Sequence, residues 1–458
     1  MTTYSSVIDM IGNTPMLELR KFDTGPCRLL LKLENQNPGG SIKDRIGLSM
    51  IAAAERDGKI QSGGTIIEAT AGNTGLGLAL VAAQKGYKML VIVPDKMSQE
   101  KIFHLNALGA QVMMTRSDVS KGHPDYYQDV AERLSNEMEN SFWVNQFANP
   151  ANPEAHEQGT GPEIWAQTGG RIDAMVCGVG SGGTMTGLAR FLKSVNPAIE
   201  MILADPEGSI LAGLVNAGTA GELGSWLVEG IGEDFVPPNC EIAMISHAYT
   251  ISDQESLTTA RELLAREGIL SGSSSGTLLA AALRYCRAQT APKTVVSLIP
   301  DSGNKYLSKM YNDYWMTDQG FIQRPRHGDL RDLISRPFND RAVVAASPDD
   351  TLSGAYGRMR MADVSQLPVL EGDRILGIID ESDLLLALYH NAERFDAPVS
   401  GFMTDRLEML APGEPMESLL PILRADRVAI VVDNGHFLGL ITKVDLLNHL
   451  RRKAVATA

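Results

Sequence analysis

The run Asn37-Pro38-Gly39-Gly40-Ser41-Ile42-Lys43-Asp44-Arg45 sets a lysine directly behind a turn of Asn, Pro and two glycines. Such a turn lets the backbone approach a ligand closely. Ile46, Met50, Ile51 and Ala54 recur at helical spacing after it, so Lys43 is expected at the mouth of a helix. The positive end of a helix dipole and partial desolvation both lower the pKa of an amine and make it a usable nucleophile. A solvated lysine with no task is the competing reading of this segment alone.

Three more loops carry residues of the same kind. Thr70-Ala71-Gly72-Asn73-Thr74-Gly75 follows an apolar run at Ile66 and opens a helical pattern through Leu78. Backbone amides at a helix start, with Asn73 beside them, suit a carboxylate, and a plain tight turn is the alternative. Gly178-Val179-Gly180-Ser181-Gly182-Gly183-Thr184 also joins an apolar run to a helical pattern. It matches G-x-G-x-x-G, with Asp205 ending the next apolar run, which is the dinucleotide-binding fingerprint. The same residues equally suit one phosphate, held by amides and the Ser181 and Thr184 hydroxyls. Pro300-Asp301-Ser302-Gly303-Asn304 ends a further apolar run, where the loops of an α/β sheet converge on a ligand. Ser302 is as well placed to cap the next helix.

The elements that must position these loops read as short buried strands at residues 66–69, 89–93, 174–177, 201–204 and 295–299. Each is followed by Gly, Pro or Asp and then a helical pattern, which is the signature of an α/β domain with largely parallel strands. The alternation stops near residue 315, and a stretch rich in Gly, Arg, Pro and His comes after it. The expected division is a catalytic domain over 1–318, a linker over 319–333 and a second domain over 334–458. That second domain is a repeat. Leu376-Gly377-Ile378-Ile379-Asp380-Glu381-Ser382-Asp383-Leu384-Leu385 resembles Leu438-Gly439-Leu440-Ile441-Thr442-Lys443-Val444-Asp445-Leu446-Leu447, and Ser347-Pro348 and Ala411-Pro412 lead the two copies. Each copy is too small for a secure core, so the two are expected to pack as a pair.

Composition narrows the classes further. A length of 458 residues calls for more than one core, and a net charge of −14 argues against nucleic acid or an anionic membrane as partner. No apolar run reaches the roughly 20 residues a bilayer span needs, and no secretory signal is visible. The four cysteines show no CxxC spacing and the histidines do not cluster, so no metal site is expected and a reducing cytoplasm fits.

Taken in order, the lysine loop, the Asn-Thr-Gly loop, the glycine-rich loop and Pro-Asp-Ser resemble the fold type II pyridoxal-phosphate family over residues 5 to 318. The resemblance implies an α/β catalytic domain of two α/β subdomains. Within that family, Asp205-Pro206-Glu207-Gly208-Ser209-Ile210 and Val228-Glu229-Gly230-Ile231-Gly232 look more like the cystathionine β-synthases than the cysteine synthases. The repeat looks like their paired CBS motifs, a tandem α+β module. The reaction that this resemblance implies is replacement of the β-substituent of L-serine, or an activated serine, by L-homocysteine. The alternative is a cysteine synthase acting on O-acetylserine and sulfide. Lys43 would hold pyridoxal phosphate covalently and take the Cα proton. Asn73 would bond the ring 3′-oxygen, Gly180, Ser181, Gly182, Gly183 and Thr184 would bind the phosphate, and Ser302 would face the pyridine nitrogen. Thr70, Ala71, Gly72 and Thr74, with Gln146 nearby, would clasp the substrate carboxylate.

Three departures stand out: Ala71 where the family usually has Ser, and Phe147 and Glu233 where animal and yeast members have Tyr. The haem-bearing extension of the animal members has no counterpart, so haem is not expected. In the repeat, the resemblance implies an adenosyl ligand contacted by Thr442 and Asp445. The first copy has Asp380 at the Thr position, so one competent cleft is expected rather than two. A purely structural module, with Thr442 capping a helix whose first turn holds Asp445, is the other reading. A homodimer or homotetramer is expected. A nucleotide sensor with a degenerate catalytic domain and a dehydrogenase remain as alternatives, neither of which explains Lys43 and Asn73 together.

Overall fold

A computed structural model describes residues 3–456 apart from 71, 96–98, 120–121 and 390. It divides into two compact units, Met1–Tyr311 and Asn312–Ala458.

The first unit holds ten strands: β1 (Met16–Glu18), β2 (Arg28–Lys32), β3 (Thr65–Ala69), β4 (Lys88–Pro94), β5 (Gln111–Thr115), β6 (Ser141–Trp143), β7 (Ala174–Cys177), β8 (Glu200–Pro206), β9 (His247–Ile251) and β10 (Thr294–Leu298). They form a six-stranded sheet in the order β1-β2-β10-β7-β8-β9 and a four-stranded sheet in the order β5-β4-β3-β6. All neighbours run parallel except β1 on β2. The five apolar runs of the sequence are β3, β4, β7, β8 and β10. Their unbroken apolar character follows from helices covering both faces, as the fully buried β7 shows.

The helix Lys43–Arg56 forms where the periodicity places it, with Ile46, Met50 and Ile51 fully buried against the four-stranded sheet. The helix Asn73–Lys85 packs on the same core through Leu76, Leu78 and Val81. These two helices touch backbone to backbone at a pair of glycines. A Cβ on Gly77 would lie 2.6 Å from the carbonyl oxygen of Lys43, and one on Gly47 would lie 2.7 Å from the carbonyl carbon of Gly77. The helices Gly183–Val195 and Ser273–Arg287 pack on the six-stranded sheet.

In the second unit each copy pairs two antiparallel strands, β11 (Gln366–Glu371) with β12 (Arg374–Asp380) and β14 (Ala429–Asp433) with β15 (His436–Ile441). A short parallel strand β13 (Met409–Leu410) precedes the second pair, whereas in the first copy that strand shrinks to the single bridge Ala346–Val369. Both hairpins carry a bulge at the same place, at Val369/Leu370 and at Val431/Val432. Leu370, Ile375 and Ile378 share a core with Ile430 and Phe437, so the copies bury apolar surface jointly. The division between units falls ahead of the helix Asp313–Asp318. The segment expected as a linker carries the 3-10 turn Leu330–Leu333, whose leucines are buried in the second unit with Ile334. No helix among the described residues is long and apolar enough to cross a membrane.

Candidate active site

The carboxyl ends of β3, β7 and β10 carry the chemistry-bearing loops, the arrangement by which open α/β sheets build ligand crevices. Lys43, Asn73, Gly180, Ser181, Gly182 and Thr184 line one cleft, together with Cys177, Glu229 and Ser274.

The lysine loop is strapped to the end of β10. Ile42 N donates to the Pro300 carbonyl at 2.8 Å, Ser302 N donates to the Gly40 carbonyl at 3.0 Å, and Ser41 bridges Asp301. Gly40 sits at φ 77°, a conformation glycine adopts without strain. Two positions after Lys43, Arg45 is buried between Glu34 and Glu163, at 2.7 Å from each, which pins the start of the helix. No hydrogen bond among the described residues reaches Lys43 Nζ. Burial pushes its ammonium below the ordinary value, against opposing pulls from Cys177, Asp301 and Glu233.

The glycine-rich loop presents amides. Among the described residues, the backbone N–H groups of Ser181, Gly182, Gly183 and Thr184 donate no hydrogen bond, at the N-terminus of the helix Gly183–Val195. Free amides at a helix N-terminus make an anion site. Its glycines are set by space: a Cβ on Gly180 would lie 2.5 Å from the Gly230 carbonyl oxygen, and one on Gly183 would lie 1.9 Å from Asn152 Oδ1. Asn152 Nδ2 donates to Ser181 Oγ at 2.9 Å. Thr184 Oγ1 meets His156 Nε2 at 3.2 Å, while His156 Nδ1 meets Thr160 Oγ1 at 2.9 Å. His156 is fully buried and held well below its ordinary pKa by burial and then by Arg45, so it is neutral. Asn152 and His156 were not legible as site residues, because a lone Asn or His in a helical stretch gives no local signal.

Asn73 opens its helix in the cleft wall, held between Asp301 and Lys305. The loop Thr70–Thr74 forms a second cluster beside it. Gly72 N donates to Thr70 Oγ1 at 3.2 Å, and Thr74 Oγ1 donates to Gln146 Oε1 at 2.7 Å. Ala71 lies outside the described residues. Beneath the cluster, Glu68 accepts from the amides of Asn145 and Gln146 at 2.8 and 3.3 Å. Phe147, one of the departures, stacks at a tilt on Phe235 with ring centroids 5.7 Å apart.

Ser302 packs against the lysine loop, its Cβ 3.7 Å from where a Cβ on Gly40 would stand, and its Oγ accepts from Asn304 N at 3.4 Å at the start of the 3-10 turn Gly303–Lys305. A serine of the cleft wall that the sequence reading did not single out is Ser274, at the start of the helix Ser273–Arg287. The signal that could have found it is the run Ser271-Gly272-Ser273-Ser274-Ser275-Gly276, a hydroxyl-rich loop opening a helix like the other three. Asp205 is fully buried and accepts from Ala212 N at 2.8 Å, with its pKa pushed up to about 6 by burial. It faces a helix rather than a ribose, which removes the acid that the dinucleotide fingerprint requires.

In the second unit, Asp445 accepts from Thr442 N at 2.7 Å and Thr442 Oγ1 at 2.6 Å, and Ser335 Oγ bonds its other oxygen. In the first copy Asp383 N donates to Asp380 at 2.8 Å and Asp380 N donates to Asp383 at 3.1 Å, so both copies close the same reciprocal cap. No group of three His, Cys, Asp or Glu among the described residues is placed to hold a metal.

An unpaired amine, an amide-lined anion site and a neutral hydroxyl in one cleft fit a phosphorylated aldehyde cofactor. Residues 7–301 match the family model described as pyridoxal-phosphate dependent enzyme, and residues 330–390 and 399–452 match the CBS domain. The chain is 36% identical over 470 residues to a cystathionine beta-synthase of Dictyostelium discoideum, covering 98% of this chain and 92% of that one. It is 42% identical over 311 residues to an O-acetylserine dependent cystathionine beta-synthase of Bacillus subtilis, covering 68% of this chain and 98% of that one. The crystal structure of an O-acetylserine dependent cystathionine beta-synthase from Helicobacter pylori, 40% identical, superposes with a TM-score of 0.62 over 68% of this chain and 99% of that one. The chain therefore belongs to the pyridoxal-phosphate dependent enzymes and, within them, to the cystathionine β-synthases with C-terminal CBS domains.

Proposed function

We propose that the cleft replaces the β-substituent of L-serine, or of its O-acetyl ester, with the thiol of L-homocysteine, and that Lys43 is the residue on which this depends. The observation that carries the reading is the desolvated, unpaired Lys43 amine in one cleft with the free amides of Ser181–Thr184. Pyridoxal phosphate, when bound, supplies the electron sink that lets the substrate's Cα–H bond and its β-substituent be cleaved. The glycine loop holds the phosphate through its amides, with the Ser181 and Thr184 hydroxyls set in place by Asn152 and His156. Lys43 Nζ would hold the cofactor and would take the substrate's Cα proton, for which a lowered pKa is the useful state. Thr70, Gly72 and Thr74, with Gln146 behind them, orient the substrate carboxylate.

The place at the ring nitrogen falls to a serine hydroxyl, Ser302 as the resemblance implies, with Ser274 of the cleft wall as the other candidate. A neutral hydroxyl there leaves the nitrogen unprotonated, which suits loss of the β-substituent over transamination. Sulfide in place of homocysteine is the second reading, since a cleft that admits a thiol also admits the smaller nucleophile.

The test has two parts. Lys43→Ala is expected to lose covalent cofactor attachment and about 10²-fold to 10⁴-fold in turnover, the share a positioned proton-transfer group supplies. Turnover retained in a folded Lys43→Ala protein refutes the assignment. Steady-state kinetics of the wild type with serine against O-acetylserine, and homocysteine against sulfide, then decide the substrate pair. A higher kcat/KM for sulfide than for homocysteine selects the second reading.

A further inference from the structure

Asn73 is gripped from both ends of its amide. Lys305 Nζ donates to Asn73 Oδ1 at 2.6 Å, and Asn73 Nδ2 donates to Asp301 Oδ2 at 2.8 Å. An ammonium has donors only, so the amide oxygen must be the atom that faces Lys305 and the amide cannot flip. One Nδ2 hydrogen goes to Asp301, which leaves the other for the cleft that Asn73 lines. Asp301 is itself fixed: Tyr306 OH donates to the same oxygen at 2.8 Å, and Gly272 packs so close that a Cβ there would lie 1.9 Å from Asp301 Oδ1. Lys305 is carried by the 3-10 turn Gly303–Lys305, the one that Ser302 caps. Besides Asp301, the charges that act on Lys305 are Asp44, which pulls its pKa up, and Lys101, which pushes it down as burial does.

We infer that Lys305 is a positioning residue for Asn73: it locks the amide so that an N–H, never the carbonyl, meets an oxygen of the bound cofactor. Its positive charge also polarises the amide and strengthens that donor. Ser302 then also contributes at one remove, by holding the turn that carries Lys305. The inference rests on the cofactor assignment made above.

The experiment compares Lys305→Met with Lys305→Arg in the full-length protein. It reads the cofactor dissociation constant by titrating apoprotein with pyridoxal phosphate and the absorbance maximum of the holoprotein. Lys305→Met is expected to weaken cofactor binding about tenfold or more, the usual cost of removing a group that orients a ligand-contacting side chain. It is also expected to move the absorbance maximum, and Lys305→Arg to restore both. Unchanged affinity and spectrum in Lys305→Met, or equal loss in both variants, overturns the inference. Should Lys305→Met fail to fold, Lys305→Gln carries the test. Its amide offers Asn73 an acceptor as well as a donor, so the lock is lost, and wild-type affinity there overturns the inference. Mass spectrometry after borohydride reduction separates the two levels. Cofactor absent from Lys43 in the wild type defeats the assignment itself, whereas cofactor on Lys43 with unchanged affinity in the Lys305 variants defeats only the positioning role.

Discussion

Glu233 lies beside the cleft with its carboxyl pushed up to about 8, first by burial and then by Asp234, while Lys43 pulls it down. It is therefore neutral at pH 7 and becomes an anion as the pH rises through about 8. The anionic form opposes an incoming amino-acid carboxylate and favours the ammonium of Lys43, so both effects act against turnover. For one ionisation centred there, kcat/KM is expected to fall about tenfold between pH 7 and 9 in the wild type, and far less in Glu233→Gln. An unaltered falling limb in Glu233→Gln assigns the ionisation to another group. The residues legible in sequence were those whose message is local. Lys43 behind its turn, Asn73 in its loop, and Gly180, Ser181, Gly182 and Thr184 reach one cleft because each sits at the end of a strand or the start of a helix. Lys305 carried no such message, since its partner Asn73 lies 232 positions away. Ser274 shows the converse limit: a serine at a helix start reads as a plain cap until its loop is seen to turn into the cleft.

At the scale of elements, the helices that carry Lys43 and Asn73 are set relative to each other by Gly47 and Gly77. Two effects of opposite sign compete at Gly77. Alanine is the better helix former by about 0.8–1.0 kcal/mol, which would stabilise the helix Asn73–Lys85. The same Cβ would stand 2.6 Å from the Lys43 carbonyl oxygen, a backbone atom that cannot swing aside. Overpacking costs about 1–3 kcal/mol, so Gly77→Ala is expected to lose stability on balance and to displace Lys43 from Asn73. Urea unfolding and cofactor titration check both halves. A more stable Gly77→Ala protein with unchanged cofactor affinity would show that the helices separate freely. The strands were legible because buried parallel strands are continuously apolar, as in β4, β7 and β8. The glycine contact was not, for a glycine inside a helical pattern looks the same whether it meets solvent or another backbone.

At the scale of the whole molecule, the repeat was visible because its two copies share the Leu-Gly-Ile/Leu-Ile strand and the Asp-led helix after it. The copies differ in their leading strand, which is Met409–Leu410 in the second and shrinks to the single bridge Ala346–Val369 in the first. The caps bear directly on what the second unit can bind. Asp445 spends one oxygen on Thr442 N and Oγ1 and the other on Ser335, so a ribose contacting Asp445 must compete with the helix it closes. In the first copy the same place holds a second carboxylate, Asp380, which would repel an anionic nucleotide. The expected stoichiometry is therefore at most one adenosyl ligand per chain, bound at the second copy. Calorimetry with S-adenosylmethionine, AMP and ATP measures it directly, and two equivalent sites would rule it out. Thr442→Ala separates the two tasks of the threonine. Loss of the cap alone costs about 0.5–2 kcal/mol of stability and leaves ligand affinity intact, since the backbone N–H of residue 442 and Ser335 still hold Asp445 in place. Loss of affinity along with stability means that Thr442 itself touches the ligand.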